Sequence, residues 1–215
     1  MVKKQPVISI LAATVILLCC IATRLPQLLS HHLLLDADEC VSGLMAKHLY
    51  EGKEVPVFFY GQRYGFSLIE TWTISVFYFF TGISDAAVKI AMLLLWSLGI
   101  LFFYKTLKRI KGDTTLLPIL ITLLFVVSPA WAIWSMKARG GYITAFFFSN
   151  LCVYLLLGTK LSKKTWAYFA TGILLVIIYA SQPLWIPGLM PLVLYKLYAP
   201  KKRTQLLLFL AGVIP

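Results

Sequence analysis

Asp36, Asp38 and Glu39 place three carboxylates within four residues, inside a stretch (36–70) that holds six of the eight acidic residues of the chain. The pattern DADE followed by helical spacing reads as a helix start. Unpaired N–H groups and the helix dipole favour ionised carboxylates at such a position. An ionised carboxylate there can take a proton from an acceptor hydroxyl as a general base. Asp36 and Asp38 together can also offer oxygen ligands to a divalent cation. The same residues serve equally as plain helix capping, with no chemistry attached.

Further along, FFYGQRYGFSLIE presents Arg63 beside Tyr64, a guanidinium that can grip a phosphate bidentately or simply snorkel from an interfacial aromatic belt. Glu70 follows at the start of an apolar helix, where an ionisable group is costly. Lys137 and Arg139, in MKARGG, form a second candidate anion site. Lys89 lies one turn into an apolar run with Asp85 four residues before it, which offers a local ion pair. His31, His32 and His48 lack metal-ligand spacing. Cys19, Cys20 and Cys152 lie in apolar runs, Cys40 lies in the acidic stretch, and no CxxC occurs.

These residues sit in a very apolar frame. The 215-residue chain is 60% hydrophobic and 13% charged, with mean hydropathy +0.85, which predicts a polytopic, all-α membrane protein. Its net charge of +12 comes mostly from lysines and arginines clustered beside apolar runs. That is the positive-inside pattern, and it argues against a nucleic-acid partner.

The charge bias also orders the elements. Residues 7–23 read as an uncleaved first span with a cytoplasmic N-terminus, being longer and bulkier than a signal peptide. Residues 36–52 read as an amphipathic helix on the membrane surface, with Val41, Leu44, Met45, His48 and Leu49 on its apolar side and Gly52 as its stop. Residues 55–64 read as extended. Between Glu70 and Asp85 lie 14 uncharged residues, which predicts a surface or re-entrant helix rather than a span. The runs 86–104, 114–135 and 142–158 then alternate across the membrane. The run 166–195 makes two short passes broken at Ser181-Gln182-Pro183.

In this arrangement the N-terminus and the basic clusters at 105–112, 160–164 and 199–203 share the cytoplasmic side. MKARGG faces out. Residues 205–215 are too few to span alone, so the chain reads as one transmembrane module (1–215, first external loop about 30–84). It is expected to be the N-terminal part of a longer protein, and no soluble domain is visible.

The order of these features resembles a known family. An N-terminal span, Asp38-Glu39, Ala46 with LYEG ending at Gly52, FYGQRYGFSLIE, an apolar helix ending FTGIS, a span opening with Lys89, and KARGGY with Arg139 and Tyr142 are similar to the membrane-embedded glycosyltransferases of C-type fold (GT-C). The likeness is to the protein mannosyltransferase and lipid A aminoarabinose transferase group, with its relatives among the rhizobial core-oligosaccharide transferases. It covers most of the chain, with residues 36–90 carrying the specific part.

The resemblance implies an inverting transfer of a sugar from a polyprenyl phosphate to a glycan, lipid or protein acceptor on the external face of a bacterial cytoplasmic membrane. Asp38 would be the base, with Glu39 beside it and Asp36 as a second candidate. Arg63, Lys137 and Arg139 would steady the leaving phosphate, with Tyr64 alongside, and Glu70 would orient hydroxyls. No cofactor is implied beyond a possible divalent cation. Gln62-Arg63-Tyr64-Gly65 stands where the aminoarabinose group has Lys-Pro-Pro-Leu, so the phosphate-binding lysine of that place is missing and Arg63 is its proposed substitute. The alternatives are a non-catalytic lipid-binding subunit and a degenerate or truncated transferase. A transporter ranks third, because the spans are nearly free of ionisable residues.

Overall fold

The computed structural model describes residues 4–30, 33–111, 116–158, 165–198 and 203–214. His31, His32 and the basic residues at 160, 163, 164, 201 and 202 lie outside them. The protein is all-helical. Its only β-type pairing among the described residues is an isolated bridge between Phe58 and Phe66.

Helix α5 (Asp85–Lys111) is the axis of the fold and the one described helix long and apolar enough to cross a membrane by length and composition. Around it pack α1 (Lys4–Ala22), α3 (Ala37–Tyr50), α4 (Leu68–Thr81), α6 (Leu116–Val127) and α8 (Tyr142–Leu157). A second layer continues from α8 through α9 (Thr165–Ser181) to α11 (Arg203–Val213), with α10 (Ile186–Tyr198) alongside. The main core cluster includes Trp96, Ile100, Met92, Ile74, Ile143 and Phe146 between α5, α4 and α8, and a second one joins Cys152, Leu175, Ile178 and Val193 between α8, α9 and α10.

The helix ends follow local chemistry. Asp36 caps α3, and Gly82 ends α4 at φ +76°, a conformation that favours glycine. The expected break at 181–183 is present: α9 stops at Ser181, and Pro183–Trp185 form a short 3₁₀ turn before α10. The expected continuous run 114–135 is divided. Pro129 drives Ser128 into extended backbone (ψ 133°), which ends α6 and starts the short α7 (Pro129–Trp134).

The face of α3 also differs from expectation. Its buried residues are Glu39, Ser42, Gly43, Met45 and Ala46, whereas Leu44 is 45% exposed. Small side chains let α4 approach closely enough for the Tyr78 hydroxyl to donate to the Gly43 carbonyl at 3.3 Å. Of the predicted apolar side, Met45 is fully buried, Val41, His48 and Leu49 are partly buried and only Leu44 faces out, so the inner face is set by size and by one ion pair as well as by apolar spacing.

Arg24, fully buried between α1 and the short α2 (Leu25–Leu28), ties these parts together. It donates to Ser135 Oγ (3.0 Å) and to the Val126 carbonyl (2.7 Å) at the end of α6, and its guanidinium lies 4.4 Å from the Trp96 ring centroid on α5. The loop carrying Lys137 and Arg139 thereby starts from a fixed point.

Candidate functional site

The acidic helix start and the basic loop, about a hundred residues apart in sequence, meet. Asp36 and Glu39 form a reciprocal capping box: Asp36 Oδ1 accepts from the Glu39 N–H (3.1 Å), and Glu39 Oε2 accepts from the Asp36 N–H (2.9 Å). The other oxygen of Asp36 accepts from Lys137 Nζ (2.8 Å) and Arg139 Nη2 (2.6 Å). Partial burial pulls the Asp36 pKa up, but the bonds from Lys137, Arg139 and the Glu39 N–H outweigh it and hold the carboxyl well below the usual range. Asp36 is thus a permanent anion that anchors two cations, a positioning role rather than that of a base.

Asp38 projects differently. Its side chain is half-exposed, and its Oδ2 lies 3.7 Å from Arg139 Nε, a contact too long for a hydrogen bond. Asp38 and Arg139 line a polar cleft of about 180 Å³ together with Gln62, Tyr64, Tyr142 and Gln182. The Arg139 bonds to Asp36 run from Nε and Nη2, so Nη1 is the edge left to meet an anion.

The cleft exists because two glycine turns interlock. Gly65 (φ +72°) lies so near the Gly140 carbonyl that a Cβ would come within 2.9 Å of it. Gly141 (φ +99°) packs under the Phe66 carbonyl, where a Cβ would stand at 2.8 Å. The Phe66 N–H donates to Ala180 at 3.0 Å, which adds the end of α9 to the same wall.

Of the other sequence-derived candidates, Tyr64 lines the cleft and Lys137 reaches it only through Asp36. Arg63 is exposed and outside the cleft lining. Glu39 is buried and pairs with Lys89 on α5, so the partner of Lys89 is Glu39 rather than Asp85, four residues before it. Gln62 and Gln182 also line the cleft, and their only sequence signal is a position beside Arg or Pro in a turn, which spacing does not rank. Tyr142 lines it too and ends the KARGGY stretch, where the sequence gives it no role. His48 bonds the Tyr60 hydroxyl at 2.8 Å, away from the carboxylates.

Glu70 is fully buried and faces protein rather than cleft. Its Oε1 accepts from the N–H groups of Ile143 (3.1 Å) and Thr144 (3.3 Å) in the first turn of α8, and Oε2 has no partner. It pins α4, which follows one cleft wall, to α8, which follows the other. Burial pushes its pKa up to about 7, against the backbone N–H bonds that pull it down.

Glu70 therefore carries a pH signature. A carboxyl with a raised folded-state pKa stabilises the fold fully below its unfolded value, and the contribution is lost as pH rises to about 7. This amounts to a decline on the order of 3 kcal/mol between pH ~4.5 and ~7. Glu70→Gln keeps the oxygen acceptor and removes the titration. Thermal unfolding across this window should slope downward with pH in the parent chain and be flatter in the variant. An identical slope in both would dismiss Glu70 as its source.

The donor set does not fit a divalent cation. Both Asp36 oxygens are already engaged by N–H donors, and the described residues contain no cluster of three His, Cys, Asp or Glu side chains able to hold a metal. Compared with known proteins, the chain matches no protein-family profile, no curated protein and no solved structure.

Proposed function

We propose that this chain is the site-bearing membrane module of an inverting glycosyltransferase of the C-type fold, which moves a sugar from a polyprenyl phosphate to an acceptor hydroxyl outside the cytoplasm. The observation that carries the reading is the pairing in one polar cleft of a half-exposed carboxylate, Asp38, with an anchored guanidinium, Arg139. Asp38 accepts the proton of the acceptor hydroxyl as its oxygen bonds to the anomeric carbon. The bond from that carbon to the phosphate oxygen breaks in the same displacement, so the configuration inverts. Polyprenyl phosphate leaves, and its developing charge falls to Arg139. Asp36 holds Arg139 and Lys137 in place before reaction, which makes the cations preorganised rather than recruited.

A multi-pass arrangement in a bacterial cytoplasmic membrane, N-terminus inside and cleft outside, accompanies this reading. The exposed Leu11, Leu18, Leu120, Leu124 and Phe80 support it, since side chains of this kind in water would form a large apolar surface.

The test is transfer of a labelled sugar from polyprenyl phosphate in membranes containing the chain, with Arg139→Ala beside it. Transfer by the parent chain and a loss of roughly 10²–10³-fold in the variant is the expected result, as for removal of one charge-stabilising donor. No transfer by the parent chain, or equal transfer by both, would refute the assignment.

A further inference from the structure

Beside the polar cleft lies a second pocket of about 230 Å³ lined by Trp131, Trp134, Tyr142, Ile143 and Trp185. Tyr142 lines both, so the two cavities adjoin at one side chain. The lining is unlike the other grooves of the molecule. A larger one between α9, α10 and α11 (about 430 Å³) is built mostly from Leu175, Val176, Ile186, Met190 and Val213, the aliphatic surface that suits a hydrocarbon chain. The pocket by the cleft has four flat aromatic faces and a single aliphatic side chain.

Those faces are held rigidly. The Trp131 ring lies 4.7 Å from Phe146, Trp185 lies 6.0 Å from Phe146, and Trp134 lies 5.7 Å from Tyr142 with the Arg139 guanidinium 5.1 Å from its centroid. Aromatic faces carry negative charge density and attract polarised C–H groups, and they orient flat ligands better than flexible ones. The pocket itself is almost wholly apolar, and the polar side chains lie in the adjoining cleft, among them Gln62, Tyr64 and Gln182. Aromatic faces next to such polar groups suit a ring that is apolar on its flats and hydroxylated at its rim. The volume falls below the roughly 300–1,000 Å³ of pockets for drug-sized ligands, which fits one ring.

We infer that the Trp131–Trp134–Trp185 pocket is the acceptor subsite, and that the acceptor is a pyranose of a glycan rather than a protein hydroxyl or a lipid phosphate. The inference rests on the transferase reading above, and it adds the acceptor class to it. The stacked ring lies next to the Asp38 cleft, where one of its hydroxyls loses its proton.

Binding is measurable without turnover. The probes are the methyl pyranosides of glucose, galactose and mannose, observed by saturation-transfer NMR on the chain in lipid nanodiscs. At least one should show saturation of its ring C–H protons, weakened tenfold or more in Trp134→Leu and in Trp185→Leu. Tyr142→Phe, which keeps the ring, should retain stacking, and an unchanged thermal midpoint would verify the fold of each variant. Absence of saturation on all three sugars, or equal saturation in the tryptophan variants, overturns the inference. So does saturation confined to the chain protons of farnesyl phosphate, which would assign the pocket to an isoprenyl tail. Transfer to a serine peptide with no pyranoside binding would remove the acceptor assignment and leave the transferase intact. Pyranoside binding with no transfer to any acceptor would remove both the transferase and the acceptor role.

Discussion

Asp38→Asn is expected to lower sugar transfer by roughly 10²–10⁴-fold, the range that a positioned general base supplies. The amide has nearly the same shape, cannot accept a proton from the acceptor, and disturbs no hydrogen bond on which the fold depends. Asp38 is half-exposed and outside the capping box, which uses Asp36 and Glu39. The loss should therefore fall on kcat, with donor KM and unfolding temperature close to the parent values. Asp36→Asn is the informative comparison, because it removes the anion that anchors Lys137 and Arg139. Its effect should appear in donor KM as well as kcat, since both cations lose their fixed place. Should Asp38→Asn transfer at the parent rate, the base lies elsewhere. An Asp36→Asn defect confined to kcat would instead move the base to Asp36.

The difference between the two aspartates shows what the sequence could and could not reveal. Short-range chemistry was legible. The Asp36 cap, the Gly52 stop and the break at 181–183 each depend on residues within a few positions, and each is where local rules put it. The candidate set was legible too, since a cluster of carboxylates and a basic loop are unusual in so apolar a chain. Which carboxylate meets which cation was not. Asp36 and Lys137 are 101 residues apart, and no spacing rule joins them.

Lys89 shows the same limit from the other side. Asp85 stood at the right helical distance, yet the lysine turns inward to Glu39 because α3 packs across α5. The face of α3 was hidden for a related reason. Apolar spacing points to Met45, which is buried, but gives no signal for Glu39, Ser42 and Gly43, whose ion pair or small size admits the neighbouring helices. Local pattern thus locates the elements and the charged clusters, and tertiary pairing decides which acid meets which cation.

Lys89→Met should cost the fold about 3–5 kcal/mol, as breaking one side of a buried ion pair does. Lys89 and Glu39 are both almost fully buried, at 4% and 1% side-chain exposure, so neither charge can turn to water when its partner is removed. Glu39 has a second task, since its other oxygen accepts the Asp36 N–H and closes the capping box. Glu39→Gln retains an acceptor for that N–H but strands the ammonium of Lys89, and it should be destabilising in the same range. The double variant Glu39→Gln with Lys89→Met buries no unpaired charge and should recover most of the loss. Thermal unfolding of the four chains in one detergent gives the coupling directly. Additive single effects, or singles below about 1 kcal/mol, would mean that the pair does not hold α3 against α5. The coupling also bears on transfer: Asp38 precedes Glu39 in the first turn of α3, so a chain that loses the Lys89 anchor should lose placement of its base. Activity should therefore return in the double variant together with stability, which a catalytic proton-transfer role for Glu39 would not allow.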